Sequence, residues 1–225
     1  MDMRISVRGY IRLFKQKIDF LRFRRVIPRL ACTRQSLGMA QRNLQPYYDL
    51  YVSTVSIRGM TISLELSAFL FLLCKAIRPT RILDIGSGFS SFVFRFYAKD
   101  KINKPVIWSV DDSVEWLENT FAFLVSHDLE CDHLITWDSF VRQEPHDNFD
   151  LILHDLGDME IRKRTFEKVL TLARAQGFIV LDDVHKEHYM SYVEHFLRSY
   201  ALRYYSLKPL TKDDLGRFAG LVVKS

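Results

Sequence analysis

Residues 81–91 read RILDIGSGFSS, and the fold follows from how this stretch is parsed. Arg81-Ile82-Leu83-Asp84-Ile85 is a short apolar run bounded by Pro79 and Gly86, the pattern of a buried strand in a parallel sheet; a helix would need a longer periodic segment. Gly86 and Gly88 let the backbone turn sharply and come close to a ligand. From Phe89 to Ala98 the chain reads as a helix, whose free N–H groups and positive dipole end favour an anionic group at the loop. A strand, a glycine turn and a helix N-terminus make a ligand seat, and the same pattern also serves as a plain tight turn.

Downstream, strand and helix signals alternate, so a parallel sheet covered on both faces is expected. Val106 to Val110 is the second strand and ends on Asp111 and Asp112; Ser113 is a plausible N-cap for a helix from Val114 to about Ser126. His133 to Trp137 reads as a third strand ending at Asp138 and Ser139, and Phe149 to His154 as a fourth ending on Asp155. A helix from about Glu160 to Ala173 leads to a fifth strand, Gly177 to Leu181, which stops at Asp182 and Asp183. After a helix around Tyr189 to Tyr200, Leu202 to Leu207 and Phe218 to Val223 read as two strands that close the sheet with an antiparallel hairpin. The expected fold is α/β: a Rossmann-like three-layer sandwich with a mostly parallel seven-stranded sheet and an N-terminal helical extension. Each of the first five strands carries an acid at its C-terminal end, the edge at which open α/β sheets bind ligands. Single strand-end aspartates also serve as helix caps or turn formers, and stability alone does not ask for this many.

The segment ahead of the glycine loop is less patterned. Ser63 to Ile77 reads as a buried helix, and Gln45 to Met60 as a mixed, tyrosine-rich segment; together they cover either the ligand cleft or one sheet face. Three divisions result: a basic amphipathic helical arm at 1–30, a helical lead-in at 31–78, and a ligand-binding domain at 79–225.

The 225 residues and 48% apolar content suit one domain with an appendage and exclude disorder throughout. Cys32, Cys74 and Cys131 are odd in number and scattered, which favours a reduced, cytoplasmic protein over a disulfide scaffold or zinc site. The net charge of +5 is concentrated in the arm, where residues 1–30 hold nine Lys/Arg against two Asp. The remainder holds 23 basic and 25 acidic side chains, so the body is not a nucleic-acid surface. Ile11, Phe14, Ile18 and Leu21 give the arm a helical stripe up to Pro28. Its expected partner is its own domain or a dimer mate, with peripheral contact to an anionic membrane as the alternative. Charges interrupt every apolar run before residue 30, which argues against a secretory signal, and Ala68 to Cys74 is too short to span a bilayer.

Residues 60–225 resemble the class I S-adenosylmethionine-dependent methyltransferases. The resemblance rests on Asp84-x-Gly86-x-Gly88, on WSVDDSVEWL at 108–117, on NFDLILHD at 148–155 and on GFIVLDD at 177–183. It implies S-adenosyl-L-methionine as cofactor, with Asp84, Gly86, Ser87 and Gly88 around its methionine portion. It also implies Asp111, with Asp112 beside it, at the ribose, and Asp138 or Ser139 near the adenine. GSGFSS and the paired Asp182-Asp183 are most similar to small-molecule and sugar O-methyltransferases of the catechol and macrocin types, many of which hold a divalent cation. Asp155, Asp182 and Asp183 fall on the metal positions, with Asp where the catechol-type enzymes have Asn, so Mg2+ or another divalent cation is implied. If the fourth and fifth strands are neighbours, about 4.8 Å apart, Asp155 and Asp182 end within reach of one ion. The catechol-type lysine base has no counterpart, because Asp158 stands in its place. Gly157-Asp158-Met159 is similar to the macrocin-type pattern, offset by one residue. Asp155 and Asp158 are therefore the candidate catalytic residues, with His154, His185 and His188 as alternative bases.

The expected activity is O-methylation of a small hydroxylated acceptor, sugar-like or catechol-like. Two rivals are a ribose methyltransferase that holds RNA through the arm and a non-catalytic module that keeps the fold. Methylation of a base amino group is disfavoured, because Asp155-Leu156-Gly157 stands where the family carries Asn/Asp-Pro-Pro-Tyr/Phe.

Overall fold

Every second residue of the central strands faces the same layer of helices, and both layers are apolar, which is why these strands read as unbroken hydrophobic runs. A computed structural model describes residues 23, 25–30, 32–143, 149–200 and 202–224. In chain order the elements are α1 (Arg34–Thr54), α2 (Leu64–Ile77), β1 (Arg81–Ile85), α3 (Phe89–Ala98), β2 (Val106–Asp111), α4 (Val114–Val125), β3 (Leu134–Thr136), α5 (Trp137–Arg142), β4 (Phe149–His154), α6 (Met159–Leu172), β5 (Ala173–Leu181), α7 (Glu187–Ser199), β6 (Arg203–Ser206), α8 (Lys208–Thr211) and β7 (Gly220–Val223).

The sheet runs β3-β2-β1-β4-β5-β7-β6. β1 to β5 are parallel, and β7 pairs antiparallel with both β5 and β6. The expected seven-stranded sheet with its antiparallel end is therefore present, with β7 inserted between β5 and β6. Ile82, Ile107, Leu151, Leu153 and Val180 face one layer, packed with Leu44, Phe69, Phe89 and Phe92 of α1, α2 and α3. Leu83, Ile85, Val110, Ile152, Ile179 and Leu181 face the other, with Phe140, Phe166 and Val193 of α5, α6 and α7. Each fully buried Leu, Ile or Phe contributes about 1.5–3 kcal/mol, so the two cores hold the sheet edge rigid.

Three elements depart from the expected pattern, one of them only at its start: β5 begins at Ala173, four residues ahead of the strand read from Gly177. Residues 34–54 form one helix where a mixed segment was read from Gln45 onward; Thr33 caps it, and Pro46 lies inside it on an exposed position. The proline removes one helical hydrogen bond at about 3 kcal/mol, and burial of Leu44, Tyr48 and Tyr51 along the opposite face offsets this. β3 is only three residues long, and Thr136 caps α5 by accepting from Ser139 N at 3.3 Å, so Trp137, Asp138 and Ser139 begin a helix instead of ending a strand.

Most of the basic arm lies outside the described residues. At its end, Phe23 and Ile27 are buried in the first core, with the Phe23 ring 6.1 Å from Phe69 and 6.2 Å from Tyr205. Among the described residues, no helix is long and apolar enough to cross a membrane.

Candidate active site

The order of the strands reverses between β1 and β4, and an open α/β sheet has its binding crevice at that point, outside the carboxyl ends of the strands. Ile85 is in register with both Val110 and His154, and His154 with Leu181. Asp111, Asp155 and Asp182 consequently arrive at one level of the sheet edge. A cavity of about 460 Å3 opens there, lined at one end by Gly86, Ser87, Gly88, Asp111, Asp112 and Trp116, and at the other by Asp155, Arg162, Asp182, Asp183, Lys186 and Arg217.

The glycine loop takes its shape from close backbone approach. Gly86 has φ of 103° and donates to Val110 O at 2.8 Å; a Cβ there would lie 2.5 Å from the carbonyl oxygen of Asp155. No other residue fits between the ends of β1 and β4 without moving a backbone. Beneath the loop Asp84 is fully buried and accepts from Ser91 Oγ (2.5 Å) and Ser109 Oγ (3.2 Å), while Arg95 Nη1 donates to Ser109 Oγ at 2.8 Å. Burial lifts the Asp84 carboxyl to about 6. Asp84 ties β1, β2 and α3 together and does not line the cavity, so it supports the loop from below.

At the glycine-loop end Asp111 Oδ2 accepts from Ser87 N (2.6 Å) and Ser87 Oγ (3.0 Å), and Oδ1 accepts from Ser113 N (2.9 Å). Burial, partly opposed by these bonds, raises its carboxyl to about 6. Asp112 lies exposed beside it, its Oδ2 next to Gly157. Tyr51 of α1 covers the loop from above. Its hydroxyl is the nearest atom to a Cβ built on Gly88, at 3.1 Å, and its ring packs edge-on against Phe123 at 4.9 Å. The lead-in segment thus covers both the cleft and the sheet face, and Ser56, Thr61 and Ile62 complete the rim. Arg217 fixes that rim by donating to Thr61 O (3.0 Å) and Asp213 Oδ2 (2.7 Å).

The other end is a cluster of charges. Asp155 and Asp182 are on neighbouring strands, as the expected metal pair requires, but Arg162 lies among the carboxylates. Its Nη2 is 2.5 Å from Asp155 Oδ1, its Nη1 donates to Asp183 Oδ2 at 3.4 Å, and its Nε donates to Leu156 O at 3.2 Å. Lys186 Nζ donates to the same Asp183 Oδ2 at 2.7 Å, and Asp183 N donates to Asp182 Oδ1 at 2.7 Å. Burial and the Asp183 charge raise Asp182 to about 6; burial holds Asp155 above the carboxylate range against the Arg162 charge. Burial also acts on Asp183, but the Lys186 hydrogen bond and the Arg162 charge outweigh it and hold that carboxyl below its ordinary value. Asp183 has φ of 57°, a left-handed conformation that Asp tolerates better than most residues. Asp155 and Asp183, two of the three residues expected to hold a divalent cation, are thus joined to each other through Arg162. Among the described residues no three His, Cys, Asp or Glu side chains are placed to hold a metal ion.

Several expected residues lie elsewhere. Asp158 is the N-cap of α6 and accepts from Glu160 N and Ile161 N, both at 2.9 Å, outside the cavity lining. Asp138 and Ser139, in the first turn of α5, do not line the cavity; Ser139 borders a separate apolar groove with Val114 and Phe121. His154 points to the opposite layer from Asp155. It is fully buried against Thr165 Oγ1 (2.9 Å), and burial followed by the Arg162 charge lowers it to about 3, so it is a neutral core histidine. His185 Nδ1 is 3.5 Å from Asp183 Oδ1 behind the cluster, and neither it nor His188 lines the cavity. Sequence reading missed Tyr51, Trp116, Arg162, Lys186 and Arg217. Only Lys186 carried a local signal, three residues after a strand-end acid.

No family model matches the sequence, and no curated protein is similar to it in sequence. Solved structures do share its architecture. The S-adenosylhomocysteine-bound methyltransferase PaMTH1 of Podospora anserina superposes with a TM-score of 0.64 at 13% identity, covering 83% of this chain and 92% of that one. An O-methyltransferase from Bacillus cereus in complex with S-adenosylhomocysteine gives 0.60 at 17% identity, over 86% and 92%. TomG of Streptomyces achromogenes, an O-methyltransferase of tomaymycin synthesis bound to S-adenosylmethionine, gives 0.56 at 16% identity, over 86% and 91%. The chain has the Rossmann-like fold of the class I S-adenosylmethionine-dependent O-methyltransferases.

Proposed function

We propose that this protein is an S-adenosylmethionine-dependent O-methyltransferase acting on a small hydroxylated acceptor of the sugar or catechol kind. The observation that carries the reading is one continuous cavity with two chemically different ends, a glycine loop with Asp111 and Asp112 at one and a ring of fixed charges at the other. The names of its structural neighbours, which are methyltransferases bound to the methyl donor or its spent form, support the same reading.

In this reading the loop Gly86 to Gly88 receives the methionine portion of the donor and Asp111 accepts from a ribose hydroxyl, with Trp116 beside the base. The acceptor enters over Asp182 and Arg162. Its hydroxyl oxygen attacks the methyl carbon, the sulfur leaves with the bonding electron pair as S-adenosylhomocysteine, and the hydroxyl proton passes to a carboxylate at the cavity wall. Asp182, with one oxygen not taken up by Asp183 N, is the better placed base; Asp155 is held by Arg162. Transfer from a sulfonium needs in-line positioning above all, which a rigid sheet edge supplies. The scheme uses no divalent cation, since two of the three carboxylates that the resemblance assigns to it, Asp155 and Asp183, pair with the Arg162 guanidinium.

Titration calorimetry with S-adenosylmethionine and S-adenosylhomocysteine tests the donor half. Transfer of a labelled methyl group to catechols, sugars and their glycosides tests the acceptor half. Absence of binding by both the donor and its spent form sinks the reading, and label appearing in RNA but in no small hydroxylated compound replaces it with ribose methylation.

A further inference from the structure

The acceptor end of the cavity contains a cation that the chain itself supplies. Arg162 lies in the first turn of α6, whose backbone is anchored there by Arg162 N donating to Asp158 O at 3.0 Å. Its side chain is only 7% exposed. Its guanidinium reaches Asp155 Oδ1 and Gly157 O through Nη2, Asp183 Oδ2 through Nη1, and Leu156 O through Nε. Four contacts from three nitrogens, two to carbonyls and two to carboxylates of different strands, fix a planar fork in one orientation. Lys186 adds a second positive charge on Asp183.

A divalent ion needs several oxygens converging at 2.0–2.6 Å, roughly the distance at which a guanidinium nitrogen now meets Asp155. Bringing the ion in would set it against a fixed positive charge. Moving Arg162 out would strip a buried guanidinium of four partners and leave Leu156 O and Gly157 O without their donors. We propose that Arg162 is the resident cation of this site: it joins the strand-end carboxylates that a divalent ion would otherwise join, and the protein binds no divalent metal there. This rests on reading the Asp155, Asp182 and Asp183 end as the acceptor end.

The test needs no turnover. Mn2+ binding to the full chain is followed by electron paramagnetic resonance, in the wild type and in Asp155→Asn and Arg162→Ala. The wild type is expected to bind Mn2+ no more tightly than Asp155→Asn does. Arg162→Ala, with its carboxylates freed, is expected to gain at least about tenfold in Mn2+ affinity and to melt at a higher temperature when Mn2+ is added. One Mn2+ per wild-type chain, lost in Asp155→Asn, overturns the proposal, and so does a folded Arg162→Ala that gains no affinity. Should Arg162→Ala not fold, the wild-type comparison with Asp155→Asn still decides. Because S-adenosylmethionine binding is measured separately, a metal site found here leaves the donor reading intact, and absence of donor binding leaves the metal result standing.

Discussion

Asp111→Asn separates the cofactor role of this carboxylate from its structural one, because the two have different energies. Burial lifts the carboxyl from its ordinary 3.8 to about 6. At about 1.4 kcal/mol per unit, the buried charge opposes folding by ~3 kcal/mol at neutral pH. The folded state binds this proton more tightly than the unfolded one, so the penalty is absent below about pH 4, grows between 4 and 6, and is complete above 6. Asparagine removes it. Asparagine also turns one acceptor into an NH2 group facing the N–H of Ser87 or Ser113, a loss of about 1–3 kcal/mol. The two effects nearly cancel, and the melting temperature of the variant should stay within a few degrees of the wild type. Donor affinity has no such compensation. With three of its roughly four acceptor positions taken by Ser87 and Ser113, Asp111 keeps one for a ribose hydroxyl, and losing that charged hydrogen bond removes about 2–3 kcal/mol. The dissociation constant for S-adenosylmethionine should therefore rise roughly 30- to 150-fold by calorimetry at about pH 7.5. In the wild type the affinity should fall as pH drops through about 6 and Asp111 gains its proton; in the variant this step should be missing. An affinity within threefold of wild type in a well-folded Asp111→Asn refutes the assignment, as does a larger loss in Asp112→Asn.

Two further substitutions test the geometry. Gly86→Ala combines a φ of 103° with a Cβ 2.5 Å from Asp155 O, and should destabilise the fold by about 3 kcal/mol or more in urea titration; a loss below about 1 kcal/mol would show that β1 and β4 can part at the loop. Asp158→Ala should lower the melting temperature through its lost helix cap while changing donor affinity and methyl transfer less than about twofold; a loss of transfer with the melting temperature unchanged would restore Asp158 as the base.

Composition and period were enough to read the sheet. Strands β1, β2, β4 and β5 lie where short apolar runs end on glycine or aspartate, since a strand buried on both faces must be apolar throughout and must stop at a turn former. The same reading placed Gly86, Asp111, Asp155 and Asp182 at one edge, because parallel strands end together. It failed where local signals conflict. Pro46 and the tyrosines around it hid α1, whose stability comes from packing on α2 and α3, and Thr136 ended β3 early by capping α5.

By itself, then, the sequence determined the layered α/β fold, the glycine loop and the row of strand-end acids, all of which are encoded in residues close together in the chain. Only the tertiary structure decided which partners those acids take. Arg162 and Asp183 are 21 residues apart and Arg217 is further still, and an arginine in the first turn of a helix carries no local sign of where its guanidinium goes. Once α6 is laid across the sheet edge, that guanidinium falls between Asp155 and Asp183 and ties the two strand ends together in an ion-pair network. The burial that moves Asp111 and Asp182 to about 6 is likewise a property of the assembled layers, because desolvation depends on what surrounds a group in space.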